Sequence, residues 1–208
     1  MDKYYTPRKK QANVELFKFC AKYLPECQNI ASLAGPEIHR HMQELTSEFP
    51  GSSLHFFEFD FSIFKMYSAD QNMNLGNVHF GDLFISLAKL VFDNVKFDLV
   101  NFDAQGLGKA IDLNYCYGGI FPEGKFRLLK DHLAEKSIIY FNFNSRNAKW
   151  GNLVGKEAIL KFGREVANYL DYNMFLFPEY IGKGGRGPHM VPFTVYSKNI
   201  KTVSGEIK

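Results

Sequence analysis

Residues 78–103 read VHFGDLFISLAKLVFDNVKFDLVNFD, and this stretch decides the fold. Val78–Phe80 is a short apolar run that ends at Gly81-Asp82, a turn dipeptide. Leu83–Phe92 then carries apolar residues at helical spacing. Phe97–Phe102 is a second strand, and Asp103 closes it. Strand, helix, strand within 26 residues is the pattern of a βαβ unit with a parallel pair.

The same alternation extends both ways. Upstream, Ser62–Ala69 reads as a helix and Leu54–Phe59 as a strand. Glu37–Phe49 is an amphipathic helix with Ile38, Met42, Leu45 and Phe49 on one face. Asn29–Ala34 is a strand, and Gln11–Leu24 a helix stopped by Pro25. Residues 1–10 are polar and basic, which predicts a loose arm. Downstream, Gly106 and Gly108 mark a loop, Glu123–Ala134 is a helix and Ser137–Phe143 a strong strand. Lys156–Tyr169 is a long helix. Met174–Pro178 and Pro192–Ser197 are late strands with no helical pattern between them, so they predict a hairpin closing one edge. The sum is an α/β chain with a mostly parallel sheet and helices on both faces. It divides into an arm and helix over 1–28, a core domain over 29–198 and a tail over 199–208.

Composition fits this reading. The chain has 208 residues, enough for one domain with a full core, so no structural metal or disulfide is needed. Its 21 Phe and 11 Tyr exclude a wholly disordered chain. No apolar run approaches the roughly 18 residues of a membrane span, and no apolar segment of a secretory signal occurs near the start. Cys20, Cys27 and Cys116 form no CxxC pair, which predicts a reducing, cytoplasmic setting and no zinc site. Net charge is +3, with basic clusters at Arg8-Lys9-Lys10 and at Lys183 and Arg186. A nucleic-acid partner would use these two clusters.

In parallel sheets of this kind, ligands bind outside the carboxyl ends of the strands. The residues there are therefore the candidates. After the first strand, Leu33-Ala34-Gly35 lets backbone approach a ligand and leads into a helix N-terminus. At the second, Glu58 and Asp60 lie two apart, so in a strand both point to one side, where a carboxylate can accept both hydroxyls of a ribose. At the third, Asp82 after Gly81 can cap the next helix, accept from an adenine amine, or do both. At the fourth, Asp103 is followed by Gln105 and flexible glycines. At the fifth, Asn144 and Arg146 sit in a polar cluster. The glycine-rich loop YIGKGGRGPHM over 180–190 carries Lys183, Arg186 and His189 and suits an arm over the ligand edge.

In this order the segments NIASLAGPE, LHFFEFD, VHFGDLF, FDLVNFDAQG and PEYIGKGGRGPHMVPFTVYS resemble the class I S-adenosylmethionine-dependent methyltransferases, over about residues 29–198. The resemblance implies a three-layer Rossmann-like sandwich, with a mostly parallel seven-stranded sheet whose last strand is antiparallel. It implies S-adenosylmethionine as cofactor. Ala31, Leu33, Ala34 and Gly35 would wrap its methionine part, and Glu58 or Asp60 would hold the ribose, with the family pattern E-x-D favouring Glu58. Gly81, Asp82 and Leu83 would face the adenine, and Asp103 would sit beside the methyl. Gln105, Asn144, Arg146, Lys183 and Arg186 would meet the acceptor, with a lean toward RNA or DNA.

Two departures narrow the chemistry. Of the family's GxGxG only Gly35 remains, and Asp103-Ala104-Gln105 replaces the Pro-Pro of amino-methylating enzymes that shapes a flipped-base pocket. Adenine-N6 and cytosine-N4 methylation are therefore disfavoured. The rival expectation is a binding or scaffolding protein that keeps the fold without catalysis. A dinucleotide reductase is disfavoured, since no GxGxxG follows the first strand. If Asp103 receives or directs the acceptor's proton, Asp103→Ala abolishes methyl transfer and leaves the circular-dichroism spectrum unchanged; retained activity removes Asp103 from the mechanism.

Overall fold

The computed structural model describes residues 7–33, 38–58, 60–69, 77–88, 94–102, 121–146, 148–181 and 189–200. The strands are β1 (Asn29–Leu33), β2 (Ser53–Glu58), β3 (Asn77–Phe80), β4 (Phe97–Phe102), β5 (Leu133–Asn144), β6 (Lys149–Trp150), β7 (Leu153–Val154), β8 (Tyr172–Leu176), β9 (Tyr180–Ile181) and β10 (His189–Ser197). The helices are α1 (Pro7–Tyr23), α2 (Ile38–Glu48), α3 (Phe61–Ser68), α4 (Leu83–Leu87), α5 (Glu123–Asp131) and α6 (Gly155–Leu170).

The main sheet runs β3-β2-β1-β4-β5-β10-β8, with β9 added beside β10. From β3 to β5 every pairing is parallel; β10 is antiparallel to β5, β8 and β9. The late hairpin forms as expected, but the last strand inserts between β5 and β8 and leaves β8 at the edge. Burial explains the insertion: β10 is apolar on both faces and is buried from Met190 to Ser197, whereas every residue of β8 is only partly buried.

Each face of the sheet has its own core. On one, Leu16, Phe17 and Cys20 of α1, Ile38, Met42 and Leu45 of α2 and Tyr67 of α3 cover Ile30, Phe56, Leu99, Ile138 and Tyr140. On the other, Leu83 and Leu87 of α4, Phe126 and Leu129 of α5 and Ile159, Phe162 and Val166 of α6 cover Phe57, Val100, Phe141 and Phe193. The Phe141 ring stacks on Phe102 and on Phe193, each at 5.0 Å, and meets Phe162 edge-on at 5.6 Å. Such ring pairs add about 0.5–1.5 kcal/mol each beyond their buried area. Three layers result, as the resemblance implied.

Three local differences have plain causes. Helix α1 begins at Pro7, where a missing N–H costs nothing at the first helical position. Arg8, Lys9 and Lys10 are thus the first turn of a helix, not a loose arm. Strand β5 starts four residues before the expected Ser137, because Leu133 pairs with Phe97 ahead of an irregularity in the β4–β5 ladder. The sequence reading also passes over the β6–β7 ribbon, which turns at Gly151 with φ +57°. Its signal is the Gly151-Asn152 pair, a two-residue hairpin turn. Trp150 of this ribbon is buried on Phe162 and donates from Nε1 to Glu165 Oε2 at 2.8 Å.

Gly163 lets α6 approach the sheet. A Cβ there would lie 2.6 Å from Met174 Cε and 2.9 Å from Phe193 Cε2. Met174 can swing away, but the Phe193 ring is fully buried. Gly163→Val is expected to cost about 1–3 kcal/mol through overpacking, read as a lower urea midpoint. An unchanged midpoint would mean that α6 does not sit this close to β10.

Candidate functional site

The parallel strands deliver their carboxyl ends to one edge. Glu58 ends β2, and only 4% of it is exposed. Its Oε1 accepts from the Asp60 N–H at 2.7 Å, and its carbonyl accepts from the Gly81 N–H at 2.9 Å. The ends of β2 and β3 are therefore tied at this acid. A buried carboxylate held at a strand end is a preformed acceptor for paired hydroxyls.

Asp60 lies beyond the strand rather than in it. It is the N-cap of α3, and its Oδ1 accepts from the Ser62 and Ile63 N–H groups at 2.8 and 3.3 Å. Asp82 does the same for α4, accepting from Phe84 and Ile85 at 2.9 and 3.3 Å through Oδ1. Each aspartate engages one carboxylate oxygen in its cap. Gly81 has φ +127°, a conformation that side-chain-bearing residues rarely adopt, and a Cβ there would also meet Ser86 Oγ at 3.3 Å. The Gly81-Asp82 pair is thus a fixed turn aimed at the edge.

The other expected site residues divide three ways. Ala31 and Leu83 are sealed in the core, at 0% and 1% exposure, and Leu33 is half-buried at the end of β1. Asn144 ends β5 and accepts from the Arg146 N–H at 2.8 Å, so it shapes the following turn; Arg146 is exposed. That turn is fastened to β10, since Ser145 donates to the His189 carbonyl from both N and Oγ. Ala34, Gly35, Asp103, Gln105, Lys183 and Arg186 lie outside the described residues. Lys10 is exposed and lines a groove between α1 and α2 with Gln43, Glu44, Ser47 and Glu48. Among the described residues, no group of three or more His, Cys, Asp or Glu could hold a metal. No helix among them is long and apolar enough to cross a membrane. Cys20 and Cys27 are free thiols, and burial, with Asp98 nearby, pushes the Cys27 thiol up to about 12.

The structure also gathers polar residues that the sequence reading did not assign. On the α1–α2 face, Ser32, Asn101, Tyr140 and Thr194 stand side by side on β1, β4, β5 and β10, all buried. Asn101 donates to Ser32 Oγ at 3.3 Å. Nearer the edge, Asn142 is fully buried and donates from Nδ2 to the Tyr180 hydroxyl at 2.7 Å. The signal was an amide inside an otherwise apolar strand, in FDLVNF and in SIIYFNF. Such a residue costs stability unless something hydrogen-bonds it.

A histidine pair braces the outer strands. His55 Nδ1 and His79 Nε2 are 3.1 Å apart across β2 and β3, and the His79 ring stacks on Phe57. A hydrogen bond between two imidazoles requires one neutral ring as acceptor. Burial holds His55 below its ordinary value. The fold therefore keeps the neutral ring, and this contribution to stability is complete above about pH 6.5, the unfolded value, and is lost as pH falls toward the folded value. The urea midpoint is expected to drop between pH 7 and 5.5, and to drop less in His55→Gln. Equal drops in both proteins would place the titration elsewhere.

No protein-family model and no curated sequence matches the chain. Solved structures do. The chain is similar to an O-methyltransferase from Bacillus cereus in complex with SAH, at TM-score 0.63 and 14% identity, covering 93% of this chain and 82% of that one. It is similar to the plantazolicin methyltransferase BamL in complex with a triazolic desmethylPZN analog and SAH, at TM-score 0.61 and 12% identity, covering 92% and 87%. It is similar to the O-methyltransferase TomG from Streptomyces achromogenes in complex with SAM, at TM-score 0.57 and 13% identity, covering 89% and 80%. At such identities the likeness is one of fold: this chain has the Rossmann-like fold of the class I S-adenosylmethionine-dependent methyltransferases.

Proposed function

We propose that the chain is an S-adenosylmethionine-dependent methyltransferase whose cofactor lies across the carboxyl ends of β1, β2 and β3. The observation that carries the reading is Glu58. A carboxylate 4% exposed, at the end of β2 and beside the rigid Gly81-Asp82 turn, is placed to take the two ribose hydroxyls. Asp60 is the weaker candidate for that role, because its carboxylate already serves the start of α3. Asp82 keeps both roles, since its cap uses Oδ1 and leaves Oδ2 to accept from an adenine amine.

The residues present fit this cofactor. The edge offers a buried acid for the ribose and a backbone turn for the base. Three solved structures of the same fold were obtained with SAM or SAH, which supports the choice. When bound, a sulfonium supplies a methyl group that is already activated. The chain's tasks are then to align the acceptor with it, exclude water and receive a proton. Asp103, which follows β4, is the residue proposed for the proton.

A small acceptor is better supported than a nucleic acid. Two neighbours in fold are described as O-methyltransferases. Lys10, one of the basic residues expected to meet a phosphate backbone, shares its groove with Glu44 and Glu48.

Calorimetric titration with S-adenosylmethionine, S-adenosylhomocysteine and NADH tests the proposal. Micromolar binding of the first two is expected, with none of NADH. Glu58→Ala should weaken it about tenfold or more, about 1.4 kcal/mol or greater, while Asp60→Ala changes it less and lowers stability by about 1 kcal/mol through the lost cap. Failure of both adenosyl ligands to bind would favour a binding or scaffolding protein that keeps the fold.

A further inference from the structure

Strand β8 ends the main sheet, and among the described residues no strand pairs with its outer side. Sheets guard such an edge with charges or a proline, because its free N–H and C=O groups are a template for another strand. Residues 172–177 read YNMFLF and carry neither. Each of them is half-buried. The charges at the two ends are already matched within the chain, Asp171 by Lys198 and Glu179 by Lys156.

The ladder shows which backbone groups are free. The Phe177 N–H bonds the Pro192 carbonyl at 3.1 Å, so the Phe177 backbone faces β10. Backbone groups alternate between the two sides of an antiparallel strand, and the β8–β10 register is regular from Tyr172 to Leu176. Phe175 and Asn173 therefore face β10 as well. Tyr172, Met174 and Leu176 turn their N–H and C=O groups outward.

Side chains flank this edge on both faces. Tyr172, Met174 and Leu176 pack on the core beneath α6, and Phe175 and Phe177 on the core beneath α1. There the Phe19 ring of α1 stacks on Phe175 at 5.0 Å and meets Phe177 edge-on at 5.1 Å. Glu15 and Lys22 lie four residues before Phe19 and three after it, so they share its side of the helix. Glu15 accepts from Gln11 at 3.1 Å and Lys22 lies over the Tyr23 ring, but among the described residues neither forms an ion pair.

We infer that β8 pairs antiparallel with β8 of a second copy of the chain, across a two-fold axis at Met174, and joins the two sheets into one. About that axis Met174 lies opposite its own copy and Tyr172 opposite Leu176. Every outward N–H and C=O of these three residues then finds a partner. An axis at Phe175 would instead set Tyr172 against Pro178, which has no N–H to give. The axis at Met174 also runs α1 antiparallel to its copy, which brings Glu15 of each chain toward Lys22 of the other. A strand of one charge would satisfy one of these groups and repel the other, whereas a second copy answers both, as a self-complementary interface must. The pairing does not depend on the methyltransferase reading.

The test is sedimentation equilibrium of the full chain, with amide exchange read by NMR at low and high concentration. A dimer with a micromolar Kd is expected, and the Tyr172, Met174 and Leu176 amides should exchange slowly only where it forms. Asn173→Lys places like charges at diagonal positions beside the axis, so it should give a monomer with an unchanged circular-dichroism spectrum. Glu15→Lys and Lys22→Glu should each raise Kd about tenfold, and the two together should restore it. Should Asn173→Lys not fold, these exposed charge reversals decide alone. A dimeric Asn173→Lys, a dimer whose three edge amides stay unprotected, or charge reversals that leave Kd unaltered would each overturn the inference. So would a wild-type monomer at high concentration. Its edge amides, if protected throughout, would show the edge covered by the chain's own residues, and if unprotected, an edge left to another partner.

Discussion

The antiparallel ladder between β5 and β10 sets which side chains face each core. It runs from Asn144 opposite Met190 to Ile138 opposite Tyr196. Because side chains alternate across a sheet, this register sends Ile139, Phe141 and Phe143 toward α5 and α6 and sends Ile138, Tyr140 and Asn142 toward α1 and α2. A slip of one residue would drive Asn142 and Tyr140 into the phenylalanine core and turn Phe141 out of it. The stack of Phe141 on Phe102 and Phe193 therefore fixes the register, and the register fixes the position of every polar group at the edge.

The edge inherits its chemistry from this arrangement. Parallel strands β1 to β5 all end there, and the helices that follow β2 and β3 begin there, so their unpaired N–H groups collect in one place. Asp60 and Asp82 satisfy two of these helix starts. Glu58, the last residue of β2, accepts the Asp60 N–H at Oε1 and lies buried between two capped turns. Caps and binding groups are the same residue types for a physical reason: both present oxygen acceptors to donors gathered at a strand end.

Much of this was legible in the chain. The strand–helix alternation, the parallel sheet and a late hairpin could be read from apolar periodicity and from Gly81-Asp82 and Gly35-Pro36, while the antiparallel last strand was implied by the resemblance. Spacing alone puts Glu58 and Asp60 in one strand; the E-x-D pattern of the resemblance favoured Glu58, and the cap geometry adds that Asp60 serves the start of α3. The place of β10 was hidden because a hairpin pattern does not say which arm faces the next strand. The polar tier of Ser32, Asn101, Tyr140 and Thr194 was hidden for a related reason. Each amide or hydroxyl sits singly in its own strand, and only lateral pairing makes them neighbours.

The most direct test of the central claim is a crystal structure of the chain grown with S-adenosylhomocysteine. The ribose hydroxyls are expected within hydrogen-bonding distance of the Glu58 carboxylate, with the adenine amine at Asp82. A ligand bound elsewhere, in the groove between α1 and α2 for example, or an edge left empty at saturating ligand, would contradict it.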